Sequence, residues 1–165
     1  MKRIYLIRHG EIDDTTARRF FGATDLPLTV RGQSQVERLA GLLPAGLLAP
    51  DAGTWCVASP LLRAQQTAEA VAGAAGLAVH TDADLREMDF GAWEGLTAAE
   101  IEVQFPGSLK RWIEPGGDTA FPEGESLGEF DERVARARER ILARPEAAVL
   151  VFTHGGVVRA LICGL

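Results

Sequence analysis

The run AVLVF, from Ala148 to Phe152, narrows the fold more than any other stretch. Consecutive apolar residues leave no polar face, so a strand built from them must be covered on both sides, as in a parallel sheet. Three other stretches also read as strands: Lys2 to Ile7, Trp55 to Ala58 and Leu77 to Thr81. Helical patterns separate them. Thr29 reads as the N-cap of a helix from Val30 to Leu43, with Val36, Leu39, Ala40 and Leu43 on one face. Ser59 followed by Pro60 reads as an N-cap and first helical residue, opening a helix that Gly76 ends after Ala75. Thr97 with Glu100, and Ser126 with Glu129, have capping-box spacing. The second box opens a helix with Leu127, Phe130, Val134, Ala137 and Ile141 on one face. Gly155 and Gly156 open a last helix. Strands alternating with helices predict an α/β chain, a three-layer α/β/α sandwich around a mainly parallel central sheet. With 165 residues and no repeat, linker or low-complexity tract, a single domain over 1–165 is expected.

Charge and composition remove several classes of function. The net charge is -6, with no basic stripe, so no nucleic-acid partner is expected. No stretch is long and apolar enough to cross a membrane. Arg8, His9 and Glu11 break the only apolar N-terminal run, which argues against a signal peptide and for a cytoplasmic location. Cys56 and Cys163 lie in apolar runs without metal-ligand spacing, so buried free thiols are expected. No metal and no cofactor are expected either.

Polar chemistry follows each apolar strand. Arg8 and His9 follow the first, Ser59 and Arg63 the second, Glu87 in LREMDFGAWEG the third, and His154 and Gly155 in FTHGG the fourth. In a parallel sheet those ends point the same way, and ligands bind at that edge. Two guanidiniums suit a phosphate. Helix N-termini at Pro60 and after Gly155 would add N–H donors. One neutral imidazole can attack phosphorus, and a second, charged, can stabilise the equatorial oxygens. A carboxylic acid, partly buried by Met88, Phe90 and Trp93, can protonate the leaving oxygen and then deprotonate water. Taken singly, each residue has a structural explanation. His80, inside the third strand, is read as structural or exposed.

The stretches LIRHGE, SPLLRAQQTA, LREMDFGAWEG, FPEGES and VFTHGG resemble the histidine phosphatase superfamily, also called the phosphoglycerate mutase-like family, over essentially the whole chain. The resemblance implies that His9 is the nucleophile and becomes phosphohistidine. It also implies that Arg8, Arg63 and His154 bind the phosphoryl group and that Glu87 donates and accepts the proton. It puts Thr15, Phe21, Gly22 and the Gly155 N–H on the substrate side, with no metal. Where the family reads Thr and, three residues later, Asn, this chain has Ile12 and Thr15. Family members also continue through further strands after the last helix. The chain is therefore expected to be short or truncated after Leu165, leaving RIYLI as an exposed edge and favouring a homodimer.

The resemblance to small bacterial phosphatases, α-ribazole phosphatases of cobalamin synthesis among them, rests on the compact stretch from Gly91 to Thr153. Mutases carry a long basic insertion there. The implied partner is a small phosphorylated metabolite. The loop from Asp13 to Phe21 and the segment from Ile101 to Phe121 are expected to line the leaving-group side. Arg18, Arg19, Phe20 and Phe21 would offer charge and aromatic surface there, although Phe20 and Phe21 could equally pack the loop down. The alternatives are a cofactor-dependent phosphoglycerate mutase and a non-catalytic phosphate-binding module.

Overall fold

A computed structural model describes residues 2–13, 17–44, 46–49, 53–114 and 120–164. Among them four strands form one sheet: β1 (Arg3–Arg8), β2 (Thr54–Ala58), β3 (Val79–Thr81) and β4 (Ala148–Thr153). The order is β1-β4-β2-β3, and every pairing is parallel. The central strand is β4, buried along its whole length, as its unbroken apolar sequence requires.

Among the described residues six α-helices accompany the sheet: α1 (Val30–Leu42), α2 (Leu62–Val71), α3 (Ala98–Gln104), α4 (Ser108–Ile113), α5 (Leu127–Ala143) and α6 (Gly155–Cys163). The twofold period of a strand divides the core into two layers. Ala148, Leu150 and Phe152 of β4, with Cys56 and Ala58 of β2, pack with Val36 of α1 and Ala68 and Val71 of α2. Val149 and Val151, with Val57, pack with Phe130, Val134, Ala137 and Ile141 of α5 and Val157 and Leu161 of α6. This is the expected α/β/α arrangement. No helix among the described residues is long and apolar enough to cross a membrane.

Several local expectations need correction. The second helix begins at Leu62, not Pro60, and Leu61 occupies the N-cap with no side-chain cap. Ser59 Oγ instead accepts the Leu61 N–H at 3.3 Å, and its other partner is His154. The α2 end is closed from a distant loop, where Asp25 Oδ1 accepts the Leu62 N–H at 2.6 Å. That helix ends at Val71 and continues as a 3₁₀ turn over Gly73–Ala75. The third strand starts at Val79 rather than Leu77. The six residues of α4 are too few for a readable period, and this helix was not expected. Cys56 is buried, and burial raises its thiol to about 11, whereas Cys163 is exposed on the last turn of α6. His80 is exposed and stacks on Trp55.

Candidate active site

The sheet register assembles the site. Arg8 pairs with Thr153, and Ala58 with Phe152. The ladders then run one bond past the strands: His9 N–H donates to Thr153 O at 3.0 Å and Ser59 N–H to Phe152 O at 2.9 Å. His9, Ser59 and His154 are thereby fixed side by side at the carboxyl edge. The two imidazole centroids lie 5.2 Å apart.

His9 Nδ1 lies 2.6 Å from the Gly10 carbonyl. A carbonyl only accepts, so Nδ1 carries the proton and Nε2 keeps its lone pair. Burial lowers the His9 pKa to about 4; the Gly10 bond opposes this, while Arg63 and Arg8 add to it. At neutral pH the ring is uncharged, and the Gly10 carbonyl sets its orientation.

His154 is fully buried. Its Nδ1 accepts from Arg63 Nε at 3.2 Å. A guanidinium only donates, so Nδ1 is unprotonated and the Nε2–H of the neutral ring donates to Ser59 Oγ at 2.8 Å. Burial, reinforced by Arg63, lowers the His154 pKa to about 2. The expectation of a charged second imidazole is therefore corrected: this ring is neutral at physiological pH.

Arg63 is also wholly buried. Nη1 donates to Thr24 O and Nη2 to Gly22 O, both at 2.7 Å. With the Nε bond, three of its roughly five N–H donors are used. Burial lowers its pKa, while Glu87, Asp25 and Glu94 act in the opposite sense.

Glu87 is half-buried. Its Oε1 accepts the Met88 N–H and its Oε2 the Gly156 N–H, each at 3.0 Å. A Cβ on Gly156 would stand 2.4 Å from Glu87 Oε1, so any side chain there would push the carboxylate from its present position. From behind, Arg133 of α5 donates to Glu87 O at 3.0 Å and clasps both oxygens of Glu125.

Arg8, His9 and Glu87 line one cavity of about 590 Å³, together with Arg18, Arg19, Phe21 and Gln35. Arg63 and His154 lie behind this wall without solvent exposure. Gly155 starts α6 against Arg8; a Cβ there would lie 3.7 Å from Arg8 Nε. As first residue of the helix its N–H has no intrahelical partner. Gly22 is buried, its C=O held by Arg63 and its N–H by Glu94. It supports the site from behind rather than lining the cavity, and a Cβ there would fall 1.7 Å from Met88 O. Thr15 lies outside the described residues.

The leaving-group expectation divides residue by residue. Phe21 reaches the cavity, whereas Phe20 packs edge-on against Phe90, Trp93 and Trp112. Of the segment from Ile101 to Phe121, the two end residues lie in the core, whereas Trp112 lines a second cavity with Arg8, Glu87, Gly155 and Gly156. The α2 N-terminus is not a free anion site, because Asp25 takes the Leu62 N–H. Nothing in the sequence pattern marks Glu94 or Arg133 for a role; it marks Gly156 only as a helix opener, and Ser59 as a helix cap and as one of the polar residues after the second strand.

The histidine phosphatase superfamily (branch 1) matches residues 4–165, and the chain belongs to that superfamily. The bifunctional protein Rv2228c of Mycobacterium tuberculosis is 40% identical over 163 residues, 97% of this chain and 43% of that protein. The chain thus spans less than half the length of that relative. The probable phosphoglycerate mutase GpmB of Proteus mirabilis is 35% identical over 169 residues, 100% of this chain and 76% of that protein. Among solved structures, an Escherichia coli protein assigned as an α-ribazole-5′-P phosphatase superposes with a TM-score of 0.87 at 30% identity, covering 99% of this chain and 79% of that one.

Proposed function

We propose that the chain hydrolyses phosphomonoesters of a small metabolite through a phosphohistidine on His9. The observation that carries this reading is the bond from His9 Nδ1–H to Gly10 O, which leaves Nε2 unprotonated beside Arg8 at the cavity wall. In the first step the Nε2 lone pair forms an N–P bond as the ester P–O bond breaks. Glu87, in its protonated form, gives its proton to the departing oxygen and releases an alcohol. In the second step the Glu87 carboxylate takes a proton from water, whose oxygen bonds to phosphorus. The N–P bond breaks, inorganic phosphate leaves and His9 is regenerated. Arg8 contacts the phosphoryl oxygens, and the buried Arg63 charge supports their negative charge from behind. The steps use protein groups alone, with no metal.

Similarity to the Escherichia coli protein makes α-ribazole 5′-phosphate the first substrate to test. Similarity to GpmB supports a second reading, phosphoglycerate mutase, in which the phosphohistidine passes its group to a second sugar acid rather than to water. The test is phosphate release from a panel of phosphomonoesters in excess chelator, with α-ribazole 5′-phosphate and 3-phosphoglycerate included and His9→Ala as control. Release that persists in chelator and vanishes in His9→Ala is expected. Transfer that requires a bisphosphoglycerate primer, without release to water, would establish the mutase reading instead.

A further inference from the structure

We propose that Glu94 is a positioning residue for the phosphoryl pocket: its carboxylate folds the Gly22–Thr24 loop so that two carbonyls of that loop hold the Arg63 guanidinium against His154. The inference rests on the phosphatase reading and deepens it.

Three consecutive backbone N–H groups converge on this one carboxylate. Oε1 accepts from Gly22 at 3.0 Å and Ala23 at 2.8 Å, and Oε2 accepts from Thr24 at 3.2 Å. The Thr24 hydroxyl adds a bond to Oε2 at 2.5 Å. Oε1 also takes the Phe90 N–H at 3.1 Å, joining the loop to the segment that carries Glu87. Successive N–H groups in a turn make an anion-binding concavity. Here a side chain of the protein fills it.

The orientation has a direct consequence. In a trans peptide the N–H and C=O point in opposite directions. Because the Ala23 N–H faces Glu94, the Gly22 carbonyl of the same peptide must point away from it. That carbonyl meets Arg63 Nη2, and Thr24 O meets Nη1. Arg63 Nε then reaches His154 Nδ1. The far end of the loop is fastened by Asp25 to the start of α2, the helix that carries Arg63 in its first turn. Glu94 also acts electrostatically on Arg63, in the sense that favours the charged guanidinium. An ordinary structural carboxylate would explain the loop's bonds alone. The continuous path to His154 predicts coupling as well.

The experiment compares Glu94→Gln in the unmodified chain and in an Arg63→Lys background. It reads kcat/KM, affinity for inorganic phosphate, and the ¹⁵N spectrum of the His154 ring. Glutamine keeps the shape but turns an NH₂ group toward N–H donors. In the unmodified background kcat/KM and phosphate affinity are expected to fall on the order of 10²-fold, as small misplacements of reacting groups do. In Arg63→Lys the same change is expected to cost less than about 3-fold, because residues acting through one another are not additive. The His154 spectrum is expected to pass from a single Nε2–H tautomer to a mixture. Equal losses in both backgrounds, or an unchanged His154 spectrum, would overturn the proposal. If Glu94→Gln does not fold, Thr24→Ala removes one bond to the carboxylate and should show the same pattern a few-fold in size, on the same non-additivity argument. If the unmodified chain hydrolyses no phosphomonoester, the functional reading falls. Phosphate affinity and the His154 spectrum then still decide the role of Glu94, and the spectrum decides it alone if phosphate does not bind.

Discussion

Two buried arginines brace the two halves of the site, and their charges are met differently. Arg133 bonds both oxygens of Glu125, at 2.5 and 2.8 Å, and the carbonyls of Asp84, Arg86 and Glu87. Among the described residues Arg63 bonds to neutral groups: two carbonyls and an imidazole nitrogen. The first is a closed ion pair whose positive charge is cancelled on contact. The second holds a positive charge in the interior with no ion pair to a carboxylate among the described residues. Burying such a charge is costly unless something offsets it. A bound phosphoryl dianion would do so. Arg133 thus fixes the backbone of Glu87, which the proposed mechanism uses for proton transfer, while the same mechanism leaves the Arg63 charge to meet the ligand.

The contrast predicts opposite phenotypes. The largest effect is expected in Arg63→Met, with kcat/KM falling about 10³-fold, the size seen when a donor to developing negative charge is lost. A loss confined to thermal stability would break the comparison. Next comes Gly156→Ala, where the added methyl collides with Glu87 Oε1 and turnover should fall about 10²-fold. Gly155→Ala beside it should cost far less, because its Cβ would make only ordinary contact with Arg8. Steady-state rates of the two alanine variants decide this. Arg133→Met should show the reverse of Arg63→Met, losing about 3–5 kcal/mol of stability by stranding Glu125. Chemical denaturation should show much of that restored in Arg133→Met/Glu125→Met, where neither charge remains. No restoration would mean that the carbonyl contacts, not the ion pair, hold this half.

The smallest effect concerns pH. His9 and His154 are depressed from 6.5 to about 4 and about 2. Between those values and 6.5 the unfolded chain binds more protons than the folded one. Stability therefore rises with pH through this window and is lost progressively as pH falls below about 6.5. The denaturant midpoint should drop as pH falls from 6.5 to 4, more shallowly in His9→Gln. The acid limb of kcat/KM should reflect His9 near pH 4. A midpoint that rises on acidification would contradict the neutral-imidazole assignment.

What the sequence made legible was local or periodic. The apolar run of β4, the paired capping boxes at Thr97 and Ser126, and the placement of Arg8 and His9 at a strand end follow from spacing along the chain. The structure then brings Arg8, His9 and Glu87 to one cavity. What spacing hid depends on distant partners. Asp25 closes α2 across 37 residues, Glu94 folds a loop 72 residues earlier than itself, and Arg133 reaches back 46 residues to Glu87. No local period marks such contacts. Ser59 shows the same limit: its position before a helix suggested a cap, but its hydroxyl serves His154. The tautomers of both histidines depend on partner atoms, Gly10 O and Arg63 Nε, that only coordinates supply.

The central claim is that His9 forms the covalent intermediate. Rapid acid-free quenching of the enzyme during turnover of a ³²P-labelled phosphomonoester, followed by peptide mapping, tests it directly. An acid-labile, base-stable phosphoryl group is expected on the peptide containing His9, absent in His9→Ala. Label on another residue, or turnover that continues in His9→Ala, would contradict it.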